Sequence, residues 1–561
     1  MLARLLPIVA LVVLGGAGSG CVFDNGPDTP FVLDQVTPPQ RLNARSAWYP
    51  LDGQQVELYA DYCGWDLDRQ TRVVRRQIGQ KILSMVSEAD ELILASFFLF
   101  DNLSAGDPGD DFAQTLADRL ISQKASHPSL TVALILDDFH RGWGYRRSEI
   151  VDQLLAAGVD VFYSDILDTR PAVRFPVWEA MSKAGRDAEH ASGGWLGLPG
   201  QAIGRIPLLV PGVELDGEPL TVAAIGKGSL LKANHRKALV TKRRGEFEGL
   251  TTSWNPHNPS QLHENHAISM TGPLARYMYM VLREDVRRSL ELGGRHVTWS
   301  PGSAGDREVY LQYKLPELAE NVWGPPAPSS ADGCEAGDAI PQAAIATEES
   351  IEPILMEWLS QVERGDRVRI QMFYLARVPV VHAILDAAGR TDHPLQILLD
   401  PNRVGINYAK DGTPNAQVAD YLLRRARLEK VRIEIRWYAT RGEQYHAKAM
   451  SITNEQTGKY LLTLGSTNWT RKNLAGINME NSIFVRHSAS LNRQFNELFD
   501  LQWYNGEEGV EYSVAWDEPR YNYHRHRGLG RWAVQRHWFF VLPRRDDKGR
   551  PELLERDLVH W

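Results

Sequence analysis

The sequence is poor in cysteine, has no excess of positive charge and, after residue 21, has no long apolar run. Three cysteines in 561 residues exclude a disulfide-rich scaffold. A formal net charge of −8 excludes the overall basic field with which non-specific nucleic-acid binders capture phosphates, but it allows a local basic cleft. Because a membrane-spanning helix needs about 20 apolar residues, we expect no such helix after the N-terminus.

The first 21 residues are typical of an export signal. Met1 and Arg4 precede an apolar run from Leu5 to Leu14, which gives way to small residues and then Cys21. The small residues before Cys21 resemble the lipobox of bacterial lipoproteins, in which that cysteine is lipidated. We therefore expect an exported protein, periplasmic or lipid-anchored to a bacterial membrane, with ordinary signal cleavage as the alternative to lipidation.

Cys63 and Cys334 are the two cysteines outside this signal. An exported protein meets an oxidising compartment, so a disulfide between them is one expectation and two separate thiols are the other. The distance between their Cα atoms decides between these outcomes, and a sequence does not supply it.

Two long parts of the chain repeat one order of predicted elements: a helix, an apolar strand, a second strand that ends in aspartate, and a third strand. The helices are Thr71–Val86 and Ile351–Val362, and the strands are Glu91–Phe100, Thr131–Asp137 and Val159–Tyr163 in the first part and Val368–Leu375, Leu395–Asp400 and Val431–Arg436 in the second. Strands that alternate with helices predict an α/β fold. We expect two half-domains, each a mainly parallel mixed sheet flanked by helices.

The repeat sets the expected domain boundaries. These are a signal at 1–21, a lead-in at 22–70, a first half-domain at 71–298, a linker at 299–345, a second half-domain at 346–508 and a C-terminal appendage at 509–561. The first half contains a Gly- and Pro-rich insertion at about 164–234, which we interpret as a lid or substrate-facing loop or, alternatively, as a mobile excursion. The appendage interleaves basic and aromatic residues, a composition that suits a membrane interface or a phosphate-rich ligand, or else a packed terminal segment.

A short motif occurs at the same point of both halves. Of 16 histidines, only His235 and His446 begin a His-x-Lys sequence, which ends at Lys237 and Lys448. Each motif is followed by a Ser-x-Asn sequence and then by a glutamate. These residues are Ser253, Asn255 and Glu264 in the first half and Ser466, Asn468 and Glu480 in the second. Apolar residues after each Lys and before each Ser predict paired strands.

This combination suits chemistry on a phosphodiester. Lys and Asn side chains, with a Ser hydroxyl, supply donors for the non-bridging oxygens and stabilise charge in the transition state. One imidazole can attack phosphorus, while the other protonates the leaving oxygen and then deprotonates water or an alcohol. Each His needs an acceptor on its other ring nitrogen, a role that suits Glu264 and Glu480. Neither a metal nor a cofactor is required.

The pattern resembles the phospholipase D superfamily, whose motif is His-x-Lys-x4-Asp followed by Gly-Ser-x-Asn. The resemblance covers residues from about 72 to 505, and Asn234–Val240 is similar to cardiolipin synthases and related bacterial enzymes. It implies two half-domains related by a pseudo-two-fold axis, with one active site between them. It also implies a phosphohistidine intermediate, for which analogy with two-motif members assigns His235 as nucleophile and His446 as acid/base.

The sequence departs from that motif at three positions. Lys242 and Thr453 stand where the family has Asp, and Thr252 stands for the first Gly. Because that Asp chiefly supports the motif in the family, its absence is compatible with a slow or unusual enzyme.

Three functions follow as hypotheses. The first is a phospholipase D or transphosphatidylase that acts on phospholipids at a membrane surface. The second is an exported nuclease with the same chemistry, which the negative net charge disfavours. The third is a phosphate- or lipid-binding protein that has lost turnover, as the two missing aspartates suggest. We expect a monomer.

Overall fold

In the computed structural model the described residues are 42–51, 56–101, 111–137, 148–164, 166, 214–215, 218–219, 232–291, 304–319, 340–403, 412, 414–521, 544–545 and 551–552. Their helices are α1 Ile78–Glu88, α2 Phe112–Ser126, α3 Glu149–Ala156, α4 Gly272–Glu291, α5 Ala304–Tyr313, α6 Ile351–Ser360, α7 Val378–Arg390, α8 Asn415–Glu429, α9 Arg471–Leu474 and α10 Ala489–Tyr504.

The strands of these same residues are β1 Tyr49–Pro50, β2 Val56–Asp66, β3 Thr71–Arg75, β4 Leu92–Phe97, β5 Thr131–Leu136, β6 Asp160–Tyr163, β7 Glu214–Leu215, β8 Glu218–Pro219, β9 Ala238–Arg243, β10 Glu246–Thr252, β11 Asn265–Thr271, β12 Gln342–Thr347, β13 Arg367–Met372, β14 Leu395–Leu399, β15 Ile433–Tyr438, β16 Lys448–Asn454, β17 Lys459–Gly465, β18 Asn481–Arg486, β19 Val510–Glu511, β20 Ser513–Ala515, β21 Arg544–Arg545 and β22 Pro551–Glu552. Short 3-10 helices occur at Asn258–Leu262, Glu348–Ser350 and Pro519–Tyr521.

Two large mixed sheets share one strand order. The first runs β2-β11-β10-β9-β4-β5-β6, and the second runs β12-β18-β17-β16-β13-β14-β15. The parallel strands are β4, β5 and β6 in one sheet and β13, β14 and β15 in the other. The two halves are therefore duplicates in topology, and the predicted α/β class with two half-domains is confirmed.

The balance of strand directions differs from the prediction. In each large sheet the described strands make two parallel pairs and six antiparallel pairs, so neither sheet is mainly parallel. The physical reason is that helical crossovers join only β4, β5 and β6 in one sheet and β13, β14 and β15 in the other. A tight turn joins the two strands after each His-x-Lys motif and enforces antiparallel pairing.

The central strands are apolar throughout because both faces of each sheet are covered. In β4, Leu92 and Leu94 face a core cluster that includes α4, whereas Ile93 and Ala95 face a second cluster with α1 and α2. Continuous burial of this kind is typical of strands between two layers. The cluster around α4 also contains second-half residues such as Phe495. The halves therefore share one core, and the candidate site lies where they meet.

Several predicted boundaries move. The segment 22–70 contains β2, which pairs with β11 inside the first sheet, and Thr71–Val86 begins as strand β3 before the helix starts at Ile78. The reason is local: β-branched residues open that segment, and Asp61 accepts the first backbone N–H groups of the helix. The linker 299–345 ends inside β12, and the appendage 509–561 contributes β19 and β20.

Each large sheet is also extended by a short strand from outside its own half. Near the N-terminal side, β1 extends the second sheet by pairing with β12, and after the second half β19 extends the first sheet by pairing with β2.

Most of the expected insertion 164–234 and of residues 522–561 lies outside the described residues. Among those described, no helix is both long and apolar enough to cross a membrane. Cys63 is buried in β2, and Cys21 and Cys334 lie outside the described residues, so the expected lipidation and disulfide stay predictions.

Candidate active site

Each His-x-Lys motif is anchored to the opposite half of the molecule through its backbone. The N–H of His235 donates to the carbonyl of Met479 at 2.8 Å, and the N–H of His446 donates to the carbonyl of Glu264 at 3.0 Å. The first motif thus runs beside the residues that precede β18, and the second motif runs beside the residues that precede β11. This crossed pairing brings both predicted motifs to a single interface.

An aspartate at the end of the second parallel strand fixes the approach to each motif. Asp137 accepts the backbone N–H of Asn234 at 2.6 Å, and Asp400 accepts that of Tyr445 at 2.6 Å. Both carboxylates are buried. Burial raises the pKa of Asp400 to about 7, although hydrogen bonds from the backbone and from Asn402 oppose this shift. The sequence pattern of a strand ending in Asp was visible, but no role followed from it alone.

His235 is oriented by a carboxylate from the second half. Its ring Nδ1 lies 3.1 Å from one oxygen of Glu480 and 2.9 Å from the other. A carboxylate only accepts hydrogen bonds, so Nδ1 carries the proton and Nε2 carries the lone pair. Glu480 is fully buried, and the side chains of Ser466 and Asn473 also donate to it. The predicted orienting role of Glu480 thus has a matching geometry, across the interface and not within one half.

His446 is oriented by an amide, which differs from the prediction. Its Nδ1 lies 3.1 Å from Oδ1 of Asn265. That oxygen also accepts from Ser253 Oγ at 2.9 Å, while the amide nitrogen of Asn265 donates to the carbonyl of His263 at 3.2 Å. The prediction that Glu264 fills this role is wrong, because Asn265 and not Glu264 occupies the position equivalent to Glu480.

Glu264 points instead into a buried polar cluster behind His446. Its Oε1 accepts from Gln502 at 2.8 Å and lies 3.4 Å from the ring Nε2 of His266. Burial raises the pKa of Glu264 well above its ordinary value. The residue therefore supports the packing of the second half against the first, and its backbone carbonyl is what reaches the motif.

The predicted substrate-binding role of the two Ser side chains is also corrected. Ser253 and Ser466 are almost completely buried, and their hydroxyls hold Asn265 and Glu480 in place. A hydroxyl occupied in this way is not available to a phosphate.

The side chains of Asn255 and Asn468 differ in their contacts. The side-chain oxygen of Asn255 accepts the backbone N–H of Leu99 at 3.2 Å, so its amide NH₂ points away from that contact. The side-chain oxygen of Asn468 has no hydrogen-bond partner among the described residues.

The lysines are held in matching ways in both halves. Lys237 Nζ donates to the carbonyl of His235 at 2.8 Å, and Lys448 Nζ donates to that of His446 at 2.6 Å. Each ammonium also lies over an aromatic ring that directly follows a central strand. The distances to the ring centroids are 5.2 Å for Phe98 in the first half and 4.9 Å for Phe373 in the second.

The same two rings contact the histidines. Phe98 lies 5.1 Å from the ring centroid of His235, and Phe373 lies 4.8 Å from that of His446. Each phenylalanine is the residue after the last residue of β4 or β13, so the two are equivalent in the repeat. Both residues lie within the strands predicted at Glu91–Phe100 and Val368–Leu375, and the sequence gave no sign of this contact.

Burial and mutual repulsion govern the charges of the site. Burial is the main factor that lowers the pKa of His235 to about 4, and it lowers that of His446 well below its ordinary value, with help from Lys448 and Lys237. Burial also lowers the pKa of Lys237 to about 7, against the opposing effect of Glu480. Both imidazoles are therefore neutral near pH 7. An anionic phosphate would relieve the repulsion among the cationic groups.

The positions where the family motif has Asp lie at the far ends of their strands. Lys242 forms an ion pair with Glu91 at the surface, and Thr453 contacts Asn492 and Asn496 of α10. Both contacts join the motif strand to its neighbours. The absence of Asp therefore leaves these positions with local partners outside the catalytic interface.

A family model described as a cardiolipin synthase, PLD-like domain, matches residues 358–503. This part of the chain is therefore similar to phospholipase D-like domains. The matched residues include the second motif with His446, Lys448 and Asn468, and the duplicated topology carries the same elements through the first half. The family match over the second half and the paired motifs together support phosphodiester-related chemistry of the phospholipase D type.

Several solved structures of low sequence identity are similar to parts of this chain. Phosphatidylserine synthase from Haemophilus influenzae Rd KW20 is 11% identical, with a TM-score of 0.49 over 85% of this chain and 91% of that one. Polyphosphate kinase from Porphyromonas gingivalis is 11% identical, with a TM-score of 0.37 over 80% and 50%. Nuc from Salmonella typhimurium, a phospholipase D family member, is 15% identical, with a TM-score of 0.23 over 29% and 95%. No curated protein matches the sequence significantly.

Proposed function

We propose that this protein is a metal-independent phosphodiesterase of the phospholipase D type that hydrolyses or exchanges phospholipid head groups through a phosphohistidine. The observation that carries the proposal is the crossed pair of imidazoles. Each Nδ1 is held by an acceptor from the opposite half, and Nε2 of His235 and of His446 has no hydrogen-bond partner among the described residues. Two fixed imidazoles with open Nε2 atoms meet the needs of a double displacement.

The difference between the two acceptors supports one division of roles. Attack by Nε2 on phosphorus places positive charge on the ring, and the carboxylate of Glu480 stabilises that charge through Nδ1–H of His235. Asn265 offers His446 only a neutral oxygen. Hydrogen bonds to charged partners contribute roughly 1.5–3 kcal/mol, against about 0.5–1.5 kcal/mol for neutral pairs. We therefore assign the nucleophile to His235 and the acid/base role to His446.

The proposed reaction has two balanced steps. In the first, Nε2 of His235 forms a bond to phosphorus, the bond from phosphorus to the head-group oxygen breaks, and protonated His446 gives that oxygen its proton. In the second, neutral His446 takes a proton from water or an alcohol, whose oxygen attacks phosphorus and releases His235. Lys237 and Lys448 hold the non-bridging oxygens, and the bound phosphate anion raises the pKa of His446 so that it carries the first proton.

Asn468 is the other expected phosphate contact. Its side chain is buried, and its Oδ1 has no hydrogen-bond partner among the described residues. Asn255, at the equivalent place, already uses its oxygen on Leu99. We propose that the amide NH₂ groups of both residues face the phosphate, since a carbonyl oxygen would repel it.

We propose a phospholipid as the substrate because the export that we predict would bring the protein next to a membrane, and the net charge of −8 disfavours nucleic acid. The test uses vesicles of labelled phosphatidylglycerol and phosphatidylcholine, with EDTA present. We expect head-group release or exchange by the wild-type protein and none by His235→Ala or His446→Ala. Cleavage of oligonucleotides alone would identify a nuclease instead. Phosphate binding without any covalent adduct would identify a protein that binds but does not turn over.

We also propose export and lipid anchoring through Cys21. Metabolic labelling with a radioactive fatty acid, followed by fractionation, tests both. We expect label in the wild-type protein and none in Cys21→Ser. An unlabelled protein in the periplasmic fraction would support ordinary signal cleavage.

A further inference from the structure

A third imidazole stands beside His446. The ring centroid of His263 lies 6.2 Å from that of His446, with 48° between the ring planes. His263 is only 8% exposed. Its backbone is fixed, because its N–H donates to the carbonyl of Ser260 at 3.2 Å and its carbonyl accepts from Asn265 at 3.2 Å. Neither ring nitrogen has a hydrogen-bond partner among the described residues.

The pseudo-symmetry of the molecule shows that this imidazole is particular to the first half. Glu264 pairs with Tyr445 across the interface in the same way that Met479 pairs with Asn234, so the residue before Met479 is the equivalent of His263. That residue is Asn478, whose side-chain oxygen accepts the backbone N–H of Ala233 at 3.1 Å. Beside His235, the side-chain oxygen of Asn478 at this position is therefore used by a backbone N–H. Beside His446, the same position is occupied by His263, whose ring nitrogens have no hydrogen-bond partner among the described residues.

The chemistry of His263 fits a hydroxyl group. Burial, together with His257 and Lys448, lowers the pKa of His263 to about 3, which keeps its ring neutral. A neutral imidazole offers one donor and one acceptor, and a hydroxyl has both complements. The ring nitrogens of His263 are not among the buried polar atoms that lack a partner in the described part of the chain, so a ligand hydroxyl can reach them.

The location selects which part of the substrate is recognised. In a displacement at phosphorus the attacking and departing atoms are roughly in line. If His235 attacks, the departing or entering oxygen lies on the His446 side. The ring of His263, whose centroid is 6.2 Å from that of His446, is then close to the atoms next to that oxygen. We propose that His263 binds a second hydroxyl of the leaving or accepting alcohol, and so selects alcohols that carry a hydroxyl beside the reacting one. This inference rests on the proposed function.

The experiment compares two acceptors that differ by one hydroxyl, 1,2-propanediol and 1-propanol. The donor is phosphatidyl-p-nitrophenol, whose leaving group carries no second hydroxyl, and the burst of p-nitrophenolate reports formation of the phosphohistidine. One neutral hydrogen bond predicts that the wild-type protein transfers to the diol about 2- to 12-fold faster than to 1-propanol. His263→Asn, which installs the residue of the other half, should bring this ratio to about one with the burst preserved.

Two further measurements keep the outcome interpretable. His263→Gln restores a side chain of similar reach and should recover part of the selectivity. His257→Asn changes an imidazole of the same segment, one that lies 3.7 Å from Asp101, and should keep the wild-type ratio. A normal burst with an unchanged ratio in His263→Asn would overturn this inference alone. The absence of any burst in the wild-type protein would overturn the proposed function as well.

Discussion

Replacing Glu480 with Gln tests which histidine attacks phosphorus. The substitution keeps the length of the side chain but removes the negative charge that faces Nδ1 of His235. In the native site that carboxylate accepts from His235, Ser466 and Asn473. An amide accepts through one oxygen only, and its NH₂ group would meet at least one of these donors. His235 would then have a neutral acceptor, as His446 already has in Asn265.

The expected loss follows from the charge that develops on the ring. A hydrogen bond to a charged partner contributes about 1.5–3 kcal/mol, which corresponds to a roughly 10- to 160-fold slower formation of the phosphohistidine. Glu480 also supports the protonated form of Lys237, whose pKa is about 7, so its removal lowers that pKa further. Measuring the burst rate as a function of pH separates the two effects, because the loss of the lysine charge depends on pH and the loss of the carboxylate does not.

The assay is a rapid-mixing experiment with phosphatidyl-p-nitrophenol. The rate constant of the burst reports the first step, and the steady-state rate reports the second when the second is slower. Asn265→Asp is the matched control, because it places a carboxylate at the equivalent position beside His446 and should slow the burst less than Glu480→Gln does. A wild-type burst rate in Glu480→Gln, with a slowed steady state, would refute the assignment and identify His446 as the nucleophile.

Three other predictions concern charge, stability and the aromatic supports. Since the free-enzyme pKa of Lys237 is about 7, kcat/KM should fall as pH rises through that value. Lys237→Arg should shift this fall in kcat/KM to higher pH, because arginine stays protonated. A fall at the same pH in the variant would mean that another group titrates. Arg236 is buried between Asp285 of the first half and Glu348 of the second, so Arg236→Leu should cost about 3–5 kcal/mol in denaturant unfolding, and an unchanged midpoint would contradict this role. Phe98→Leu removes the ring below one ammonium and should lower kcat/KM about 2- to 30-fold, whereas Phe98→Tyr should retain most activity; equal losses in both would show that packing and not the ring face matters.

The sequence predicted the repeat and both motifs because these are local patterns. His-x-Lys, Ser-x-Asn and the strand ending in Asp are each contained in a few residues, and the strands of each half have the apolar composition of a covered sheet. Whether neighbouring strands run parallel or antiparallel was harder to predict from the sequence. A pattern of strands and helices indicates parallel crossovers, but the antiparallel extension of each sheet by β2 and β12 depends on pairing between distant segments.

The orienting residues were predicted only in part for the same reason. Glu264 and Glu480 look alike in sequence because each follows a Ser-x-Asn motif, yet their distances from the Asn differ by three residues. This spacing does not identify the counterpart, since Asn265 also stands at a different distance from its Asn than Glu480 does. The paired bridges across the interface show that Asn265 is the counterpart of Glu480. Contacts between halves, such as those of Glu480 and Arg236, carry no local pattern at all.

The crossed acceptors have a consequence for how such a site can arise. In a homodimer of single half-domains, a closed two-fold interface would place the same residue at both acceptor positions, since every contact is made twice. Any change that favours an attacking imidazole would then equally alter the imidazole that handles protons. Joining both halves in one polypeptide removes this constraint. One acceptor can become Asn265 while the other stays Glu480, so the two histidines can specialise without a compromise imposed by symmetry.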